Sequence, residues 1–384
     1  MASSPLIGNS FPQFAGPLPA KLRLAFGRRA AILHPVRASD FDFPLPPELI
    51  AQAPAPRRDQ SRLLVLDRAT GRIAHRLFAD LADYFSPGDL LVLNDSRVIP
   101  ARLRGRNART GGHFEALLLE EIAANDWWAM MRPGKRARPG ANIQILDKAK
   151  NPSAFGALVR EINAEGHRRL QFSGPGNILT ALDALGEAPL PPYIQRAEER
   201  PEDRERYQTV YAKVPGSVAA PTVGLHFTPA LLEKIRARGA GVCFVTLHVG
   251  LGTFAPVKAE RLEDHVMHAE RFVLPAETAA AIRRAKDSGR RVVAAGTTTL
   301  RVLESASRPG AGRTRLFIHP PHRFLVVDSL LTNFHLPRST LLMLAAAFAA
   351  PGETRGCELI LRTYAEAAAQ GYRFFSYGDA MLLL

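Results

Sequence analysis

Two patterns of alternation divide this sequence of 384 residues and limit the folds that it can adopt. From about Arg97 to Leu185, short apolar or alternating runs are separated by turns containing Gly or Pro, which is typical of a barrel-like module of short strands. After the Pro-rich run Pro189–Tyr193, helical and strand patterns alternate, as in α/β domains. The sequence therefore predicts an α/β main domain with an inserted all-β barrel-like domain. The predicted limits are 40–96 and 187–384 for the α/β domain, and 97–186 for the barrel.

The predicted main domain begins with strands. Arg62–Asp67 and Arg72–Leu77 flank the turn Ala69–Gly71, which predicts a hairpin. Asp89–Leu93 reads as a buried strand, and an Asn-Asp-Ser tripeptide follows it. Late in the chain, the apolar run Phe324–Val327 predicts a further strand between two helices.

The composition is that of an ordinary globular protein with a surplus of positive charge. Hydrophobic residues make up 46% of the chain, the formal net charge is +14, and no apolar run is long enough to span a bilayer. The charge favours a polyanionic partner such as nucleic acid, although a basic protein from an arginine-rich proteome would show the same surplus. Cys243 and Cys357 are too few for a structural zinc site or a disulfide framework, so we expect a reducing cytoplasm.

The first 39 residues differ from the rest. They contain five basic residues, and no acidic residue precedes Asp40. This composition suits a transit peptide, but a start codon assigned too far upstream gives the same composition. We favour the second interpretation and expect residues 1–39 to be a basic extension with little fixed structure.

The segment Val292–Ser305 reads as a buried strand, a tight turn and a helix. Glycine at the end of a strand allows a ligand to approach the backbone closely. The hydroxyl groups and free N–H groups at the start of the helix suit a carboxylate or a phosphate, although threonine also caps helices that bind nothing. The residues of this candidate anion site are Gly296, Thr297, Thr298 and Thr299.

Two histidines stand beside glycines at the ends of predicted elements. His226 follows Gly224 in a turn before a helix, where a structural role is equally consistent with the sequence. His248 ends a predicted strand and is followed by Gly250 and Gly252. The full dinucleotide-binding fingerprint is missing, so this segment predicts only a close approach of backbone to a ligand at a strand end.

The segment Asp264–Glu270 concentrates ionisable side chains. His265 and His268 are three residues apart and would share one face of a helix, and Glu270 follows them. Two histidines and a carboxylate can bind a metal or serve as an acid/base cluster. The H-E-x-x-H pattern is absent, which weighs against a metal site.

The segment Val327–Leu344 places Asp328 at the end of a predicted strand and Asn333 with His335 in a turn before a capped helix. Such a turn can recognise a base edge or a ribose, or it can simply stabilise the turn and the helix start.

Two more segments suit RNA, each with a plainer alternative. Tyr372–Met381 combines four aromatic residues with Arg373 and Asp379, which suits base stacking or an ordinary core. Met131–Pro139 is a dense basic turn that suits a phosphate contact or a solvated loop.

Taken together, these segments resemble the S-adenosylmethionine:tRNA ribosyltransferase-isomerase family of queuosine biosynthesis. Two mild departures from the family pattern are Val223, where the family usually has Ala, and the run Ile318–His322. The matching blocks are Phe41–Gln52, Gly88–Leu103, Pro189–Ile194, Arg206–Ala212, Gly216–Thr228, Val245–Val257, Asp264–Glu270, Gly296–Ser305, Leu330–Leu344 and Tyr372–Leu382.

The resemblance implies a reaction that the motifs alone do not specify. Members of the family transfer the ribosyl part of S-adenosylmethionine to the aminomethyl-deazaguanine base at the tRNA wobble position. They isomerise it to give epoxyqueuosine and release adenine and methionine. The resemblance also implies an α/β domain carrying a β-barrel, tRNA and S-adenosylmethionine as partners, and no metal or cofactor beyond S-adenosylmethionine as co-substrate. We further expect a monomeric, cytoplasmic protein that does not bind membranes.

The reaction needs a base beside the sulfonium and an acid at the departing adenine, and His, Asp and Glu are the usual groups for such proton transfers. With the resemblance in mind, we expect His248, His268, Glu270 and Asp328 to be catalytic, without assigning acid and base among them. We expect Arg132, Lys135 and Arg136 to contact tRNA phosphates. The expected substrate-binding residues are His226, Gly250, Gly252, His265, Gly296, Thr297, Thr298, Thr299, Arg301, Asn333, His335, Tyr377 and Asp379.

Two other classes of protein remain open on the sequence. The chain could be a nucleic-acid-binding module whose enzymatic site has decayed, which binding of S-adenosylmethionine would exclude. It could also be a metal-dependent hydrolase built on His248, His265 and His268, which metal analysis and chelation would test.

Overall fold

The computed structural model of the chain describes residues 36–196, 200–250, 257 and 259–384. Within these residues it contains a nine-stranded sheet, a closed six-stranded barrel and a two-stranded ribbon, which confirms the predicted fold class. Of the predicted N-terminal extension, residues 1–35 lie outside the described residues. Val36 and Ala38 are buried in the core of the main domain, so the packed chain begins before residue 40.

The strands are numbered in chain order over the described residues. They are β1 (Arg62–Leu66), β2 (Ile73–Leu77), β3 (Leu90–Asn94), β4 (Ser96–Val98), β5 (Arg102–Asn107), β6 (His113–Ala123), β7 (Asp126–Arg132), β8 (Asn142–Leu146), β9 (Pro152–Ile162), β10 (Arg168–Ser173), β11 (Val214–Ser217), β12 (Gly241–Leu247), β13 (Glu270–Leu274), β14 (Val292–Ala295), β15 (Gly310–Thr314), β16 (Ser329–Asn333) and β17 (Ala380–Leu383).

The α-helices of the described residues are numbered in the same way. They are α1 (Ile178–Leu185), α2 (Pro201–Arg206), α3 (Pro229–Ala237), α4 (Ala276–Asp287), α5 (Thr297–Ser305), α6 (Thr340–Ala349) and α7 (Gly356–Ala369).

The nine-stranded sheet has the order β15-β13-β12-β3-β14-β16-β17-β1-β2. Strands β12, β3, β14 and β16 pair in parallel, so their carboxyl ends lie at one edge of the sheet. Both faces are covered, because side chains alternate between two cores: Leu90 and Val92 pack with α4 to α7, and Leu91 and Leu93 pack with α3. The chain therefore gathers its strand-end residues at one buried edge, where ligands of α/β sheets bind.

The barrel closes in the order β10-β7-β6-β5-β8-β9. Side chains alternate between the inside and the outside of the barrel along each strand, and the inward ones fill its core, such as Trp127, Ala129 and Met131 on β7. Ile178 and Leu182 of α1 also pack into this core. The domain limits of 97 and 186 remain predictions, although the barrel strands and α1 fall between them.

The ribbon joins the entrance and the exit of the barrel segment. Strand β4 leads into the barrel. It pairs in parallel with β11, which follows the barrel segment in the chain. Two carboxylates of the barrel also reach the main domain: Glu120 pairs with Arg313 at 2.6 Å, and Glu165 contacts His268 Nδ1 at 3.3 Å. These contacts hold the barrel against one end of the main sheet.

Two predicted elements differ from the observed fold. Phe324–Val327 is not a strand, because the N–H groups of Leu325, Val326 and Val327 donate to the Glu304 carboxylate at 2.9–3.0 Å; the strand is β16, which starts after Asp328. The segment with His265 and His268 is not helical either, since a short 3-10 turn ends at Asp264 and the backbone is extended at His265.

Candidate active site between the barrel and the sheet

Asn94 organises the carboxyl edge of the sheet. Its side-chain N–H groups donate to the Leu247 carbonyl at 3.0 Å and to the Thr298 hydroxyl at 3.2 Å. Its amide oxygen accepts from the backbone N–H groups of Ser96 and Leu247, both at 3.1 Å. One fully buried side chain thus links the ends of β3 and β12 to the start of α5. Sequence analysis assigned no role to Asn94, although a polar tripeptide directly after a buried strand was the available signal.

His248 lies where β12 leaves the sheet, and the ribbon encloses it. Its Nδ1 is 2.8 Å from the Ser96 hydroxyl on β4. Gly216 of β11 packs against the ring with a φ of +142°, and a Cβ there would lie 2.9 Å from Cε1. Burial, helped by the positive charge of Arg271, lowers the pKa of His248 below its ordinary value of 6.5. The imidazole is therefore neutral at pH 7 and held in one orientation. Sequence analysis missed both Ser96 and Gly216, because they come from separate strands.

Glu270 forms a buried ion pair with Arg301 directly beside this histidine. The Glu270 carboxylate accepts from the Arg301 guanidinium and, at 3.3 Å, from the Gly250 N–H. Arg301 also donates through Nε to the Leu316 carbonyl at 3.1 Å, while its Nη2 has no hydrogen-bond partner in the described part of the chain. The pair leaves one buried donor available.

A cavity of about 1240 Å³ separates the barrel from the main sheet. Seven arginines and five glutamates line it, together with apolar side chains from both walls. The cavity is large enough for a nucleoside-sized ligand and for part of a larger partner. The sequence-predicted residues that line it are His248, Gly250, His265, His268, Glu270 and Arg132.

His268 and His265 occupy the rim of the cavity. Glu165 of the barrel lies between two imidazoles, 3.3 Å from His268 Nδ1 and 3.1 Å from His167 Nδ1. The His268 side chain is 57% exposed, so it is more accessible than the His248 ring. His265 packs edge-on against Phe317, and burial lowers its pKa.

The start of α5 does not line the cavity but lies behind the cavity wall that the main domain forms. Gly296 has a φ of +95°, which non-glycine residues rarely adopt, and its backbone faces Val223. The Thr298 hydroxyl accepts from Asn94, and the Thr299 hydroxyl donates to the Ala295 carbonyl at 2.7 Å. Thr297 is likewise buried. The four residues are held together as predicted, but none of them lines the large cavity.

His226 and Asn333 belong to a separate, fully buried network. The Asn333 amide donates to His226 Nε2 at 3.2 Å, and its oxygen accepts from the Thr222 hydroxyl at 2.8 Å. His226 Nδ1 is 2.7 Å from the Ser61 hydroxyl. Burial lowers the pKa of His226 to about 3, so the ring is neutral. Each of the two residues is hydrogen-bonded within the protein, and neither lines the cavity. Their expected substrate-binding role stays a prediction.

The remaining C-terminal residues are also hydrogen-bonded within the protein. His335 is buried with Nε2 2.8 Å from the Thr332 hydroxyl, and burial lowers its pKa to about 3. Tyr377 donates to Asp203 at 3.1 Å. Asp379 accepts from the N–H groups of Arg62 and Arg373 at 3.0 and 2.9 Å. These side chains are packed as in an ordinary core, and their expected substrate-binding role stays a prediction.

Asp328 lies at the opposite edge of the sheet. It precedes β16, so it is at the amino end of a strand whose carboxyl end carries Asn333. Its carboxylate accepts from Lys286 at 2.9 Å and from the Val292 N–H at 2.8 Å. The predicted strand before Asp328 was wrong, since β16 starts after this residue. The expected catalytic role of Asp328 stays a prediction.

The predicted tRNA contacts lie on the barrel. Arg132 ends β7 at the cavity, and Lys135 and Arg136 follow in an exposed 3-10 turn. Gly252 lies outside the described residues.

Within the described residues, no group of three or more His, Cys, Asp or Glu side chains is arranged to hold a metal ion. The same residues contain no helix that is both long and apolar enough to cross a membrane.

A cavity with a half-buried histidine and a buried ion pair on one wall has the character of an enzyme active site. Residues 38–383 match the protein family described as queuosine biosynthesis protein. The S-adenosylmethionine:tRNA ribosyltransferase-isomerase of Symbiobacterium thermophilum is 50% identical over 358 residues, 91% of this chain and 100% of that protein. The enzyme of the same name from Citrifermentans bemidjiense is 51% identical over 352 residues, 90% of this chain and 99% of that protein.

A solved structure agrees with these relatives. The S-adenosylmethionine tRNA ribosyltransferase of Thermotoga maritima is 38% identical, covers 90% of this chain and 100% of its own, and superposes with a TM-score of 0.51. The chain therefore belongs to the S-adenosylmethionine:tRNA ribosyltransferase-isomerase family.

Proposed function

We propose that this chain transfers the ribosyl group of S-adenosylmethionine to the aminomethyl-deazaguanine base at the wobble position of tRNA. The transferred unit is isomerised to give epoxyqueuosine, and adenine and methionine are released. Membership of the family supports the reaction class. The observation that supports the site is the neutral, oriented His248 on the wall of a cavity large enough for S-adenosylmethionine and for part of a tRNA.

His248 is the proposed base that removes the proton beside the sulfonium. When Nδ1–H donates to the Ser96 hydroxyl, Nε2 keeps its lone pair. A neutral imidazole is the form that can accept a proton, and the lowered pKa of His248 keeps it neutral at pH 7. The positive charge of the sulfonium makes the adjacent C–H more acidic, so a modest base suffices.

Glu270 and His268 border the same cavity and remain in the proposed catalytic set. Glu270 is held by Arg301 and by the Gly250 N–H, which suits a fixed carboxylate facing the cationic substrate. His268 is the more accessible group at the rim, and in its protonated form it can donate to the departing adenine.

The methionine carboxylate is the proposed ligand of the region around α5. The free N–H groups of the first helical turn suit an anion, and Gly296 lets the backbone approach closely. The unpaired Nη2 of Arg301 supplies a charged donor next to it.

The proposed partners are tRNA and S-adenosylmethionine, with no further cofactor, in a cytoplasmic monomer. The tRNA backbone would meet Arg132, Lys135 and Arg136, which extend the cationic cavity lining onto the barrel surface.

The proposal is tested by following adenine release from S-adenosylmethionine, with and without tRNA carrying the aminomethyl-deazaguanine base. We expect release that depends on that tRNA and survives treatment with a chelator. Release without any tRNA, or loss of activity on chelation that added metal restores, would contradict it.

A further inference from the structure

The outer surface of the barrel presents an unusual side chain to the cavity. Along β7, Trp127, Ala129 and Met131 point into the barrel core, whereas Trp128, Met130 and Arg132 point outward. Trp127 is 2% exposed, and Met130 is 37% exposed. Trp128 and Met130 both line the cavity. A tryptophan and a methionine on a solvent-facing strand surface need an explanation other than barrel packing.

Apolar side chains from the neighbouring strand and from the opposite wall extend this surface. Leu117 of β6 is paired in register with Met130 and also lines the cavity. From the main domain, Val266 reaches the same cavity with 78% of its surface exposed. Apolar side chains from both walls therefore contribute to the cavity lining.

No ring or guanidinium within the described residues stacks on Trp128, although seventeen other aromatic pairs and two cation–π contacts are formed there. Trp128 is only partly buried and lines the cavity, so a flat partner from outside the chain can reach its ring.

Arginines flank the apolar surface on both walls. Arg132 ends β7 on the barrel side, and Arg315 lies on the side of the main domain. Both are exposed and form no ion pair within the described part of the chain, unlike Arg104 and Arg313, which are held by Glu187 and Glu120. An unpaired planar cation on each side of an aromatic surface is the arrangement that suits an unpaired nucleotide, whose base stacks while its phosphates meet the arginines.

We propose that Trp128 is a stacking platform for an unpaired base of the anticodon loop adjacent to the reacting nucleotide, with Met130 and Leu117 beneath it and Arg132 and Arg315 at the flanking phosphates. The inference rests on the proposed function, since it assigns a specific RNA contact to the same cavity. It concerns a base that does not react, so it adds a specificity-determining residue outside the catalytic set.

A single-stranded loop fits these features better than a duplex or a protein partner. A duplex offers its phosphates but keeps its base faces stacked inside, out of reach of Trp128. The cationic flanks disfavour an apolar protein segment, which would leave the two unpaired arginines desolvated.

The first test uses intrinsic fluorescence, because the protein has only two tryptophans. Titration with an anticodon stem-loop RNA should quench the wild-type emission through stacking on Trp128. The variant Trp128→Phe, which keeps only the buried Trp127, should show no quenching. Equal quenching by a fully paired RNA of the same length would indicate general polyanion binding and overturn the proposal, as would unchanged quenching in Trp128→Phe.

The second test separates RNA recognition from catalysis. Trp128→Ala should raise the KM for tRNA roughly 5- to 150-fold, the range that corresponds to loss of one base–aromatic stack. Binding of S-adenosylmethionine and kcat at saturating tRNA should change less than about twofold. Trp128→Phe should recover most of the KM. Ile122→Ala, which removes a 46% exposed apolar side chain from the neighbouring barrel strand β6 outside the cavity, is the matched control and should have no effect.

A KM for tRNA that is unchanged in a folded Trp128→Ala protein would overturn the stacking proposal while the proposed function stands. Wild-type protein that forms no product would instead count against the proposed function, and the fluorescence titration would still decide whether Trp128 contacts RNA.

Discussion

His248 shows how the setting of one side chain determines what it can do. The ring is half-buried beside a positive charge, which disfavours its protonated form and lowers its pKa. The Ser96 hydroxyl lies 2.8 Å from Nδ1, and the backbone of Gly216 packs so close to the ring that an added Cβ would lie 2.9 Å from Cε1. A freely exposed histidine would be partly protonated near neutral pH and would sample several rotamers.

Replacing His248 by Ala should lower the single-turnover rate of ribosyl transfer by about 10²- to 10⁴-fold, the usual contribution of a general base. Because the neutral ring is the active form and its pKa is lowered, the acidic limb that His248 sets in the wild-type profile should lie below pH 6.5, with the rate rising as pH rises. His113→Ala, on an exposed position of the barrel, is the control. A pH profile that keeps its acidic limb in a folded His248→Ala protein would contradict the assignment.

The burial of His335 affects the stability of the protein rather than catalysis. Its folded-state pKa is about 3, whereas an unfolded histidine titrates near 6.5. Between these values the unfolded chain binds a proton that the folded chain does not, so stability is lost as pH falls from about 6.5 towards 3.

We expect His335→Gln to reduce the slope of unfolding free energy against pH by an amount that grows from about 0.7 kcal/mol per pH unit at pH 6.5 towards about 1.4 kcal/mol per pH unit at pH 5. Urea unfolding at several pH values measures this slope. His113→Gln should leave it unchanged. An identical slope in the wild type and in His335→Gln would mean that the buried ring is not neutral in the folded protein.

At the scale of elements, the sequence was a good guide wherever local pattern and tertiary packing agree. The hairpin β1–β2, the barrel strands and the apolar helix α6 follow their predicted positions. The apolar run before Asp328 was misassigned because its N–H groups bond to Glu304, a contact that local pattern does not contain. The histidines of the site were found from glycine-flanked turns, but their partners were not, because Ser96 and Gly216 reach His248 only through the pairing of β4 with β11.

The pairing of β4 with β11 leads to a prediction about Gly216. An Ala there would place Cβ 2.9 Å from the imidazole of His248 and would strain a backbone φ of +142°. We expect Gly216→Ala to displace the ring and lower the rate of ribosyl transfer up to about 100-fold, as misplacement of a reacting group by roughly 1 Å can do. Gly111→Ala is the matched control, because Gly111 also has a positive φ but no neighbouring atom within 4 Å of the added Cβ. Full activity in Gly216→Ala would show that the enclosure of His248 is unimportant.

At the scale of the whole molecule, a barrel inserted between β4 and β11 supplies one wall of the cavity and the main sheet supplies the other. The two walls were predictable as separate folds, since each has its own hydrophobic pattern. Their juxtaposition was not, because it depends on Glu120, Glu165 and their partners, and ion pairs across a cavity leave no periodic signal in a sequence.

The basic surface of the barrel should appear in the salt dependence of tRNA binding. Replacing Arg132 by Ala should reduce the slope of log K against log salt by about 1, while S-adenosylmethionine binding is unaffected. Arg283→Ala removes the same charge from the exposed face of α4, away from the cavity, and should leave the slope unchanged. Equal effects of the two variants would indicate that only net charge matters.

The proposed reaction is decided by mass spectrometry of nucleosides from tRNA carrying the aminomethyl-deazaguanine base, after incubation with the purified protein and S-adenosylmethionine without added metal. We expect epoxyqueuosine, with adenine and methionine released in equal amounts, from the wild type and at a strongly reduced rate from His248→Ala. Folded wild-type protein that binds both substrates and leaves the base unmodified would contradict it.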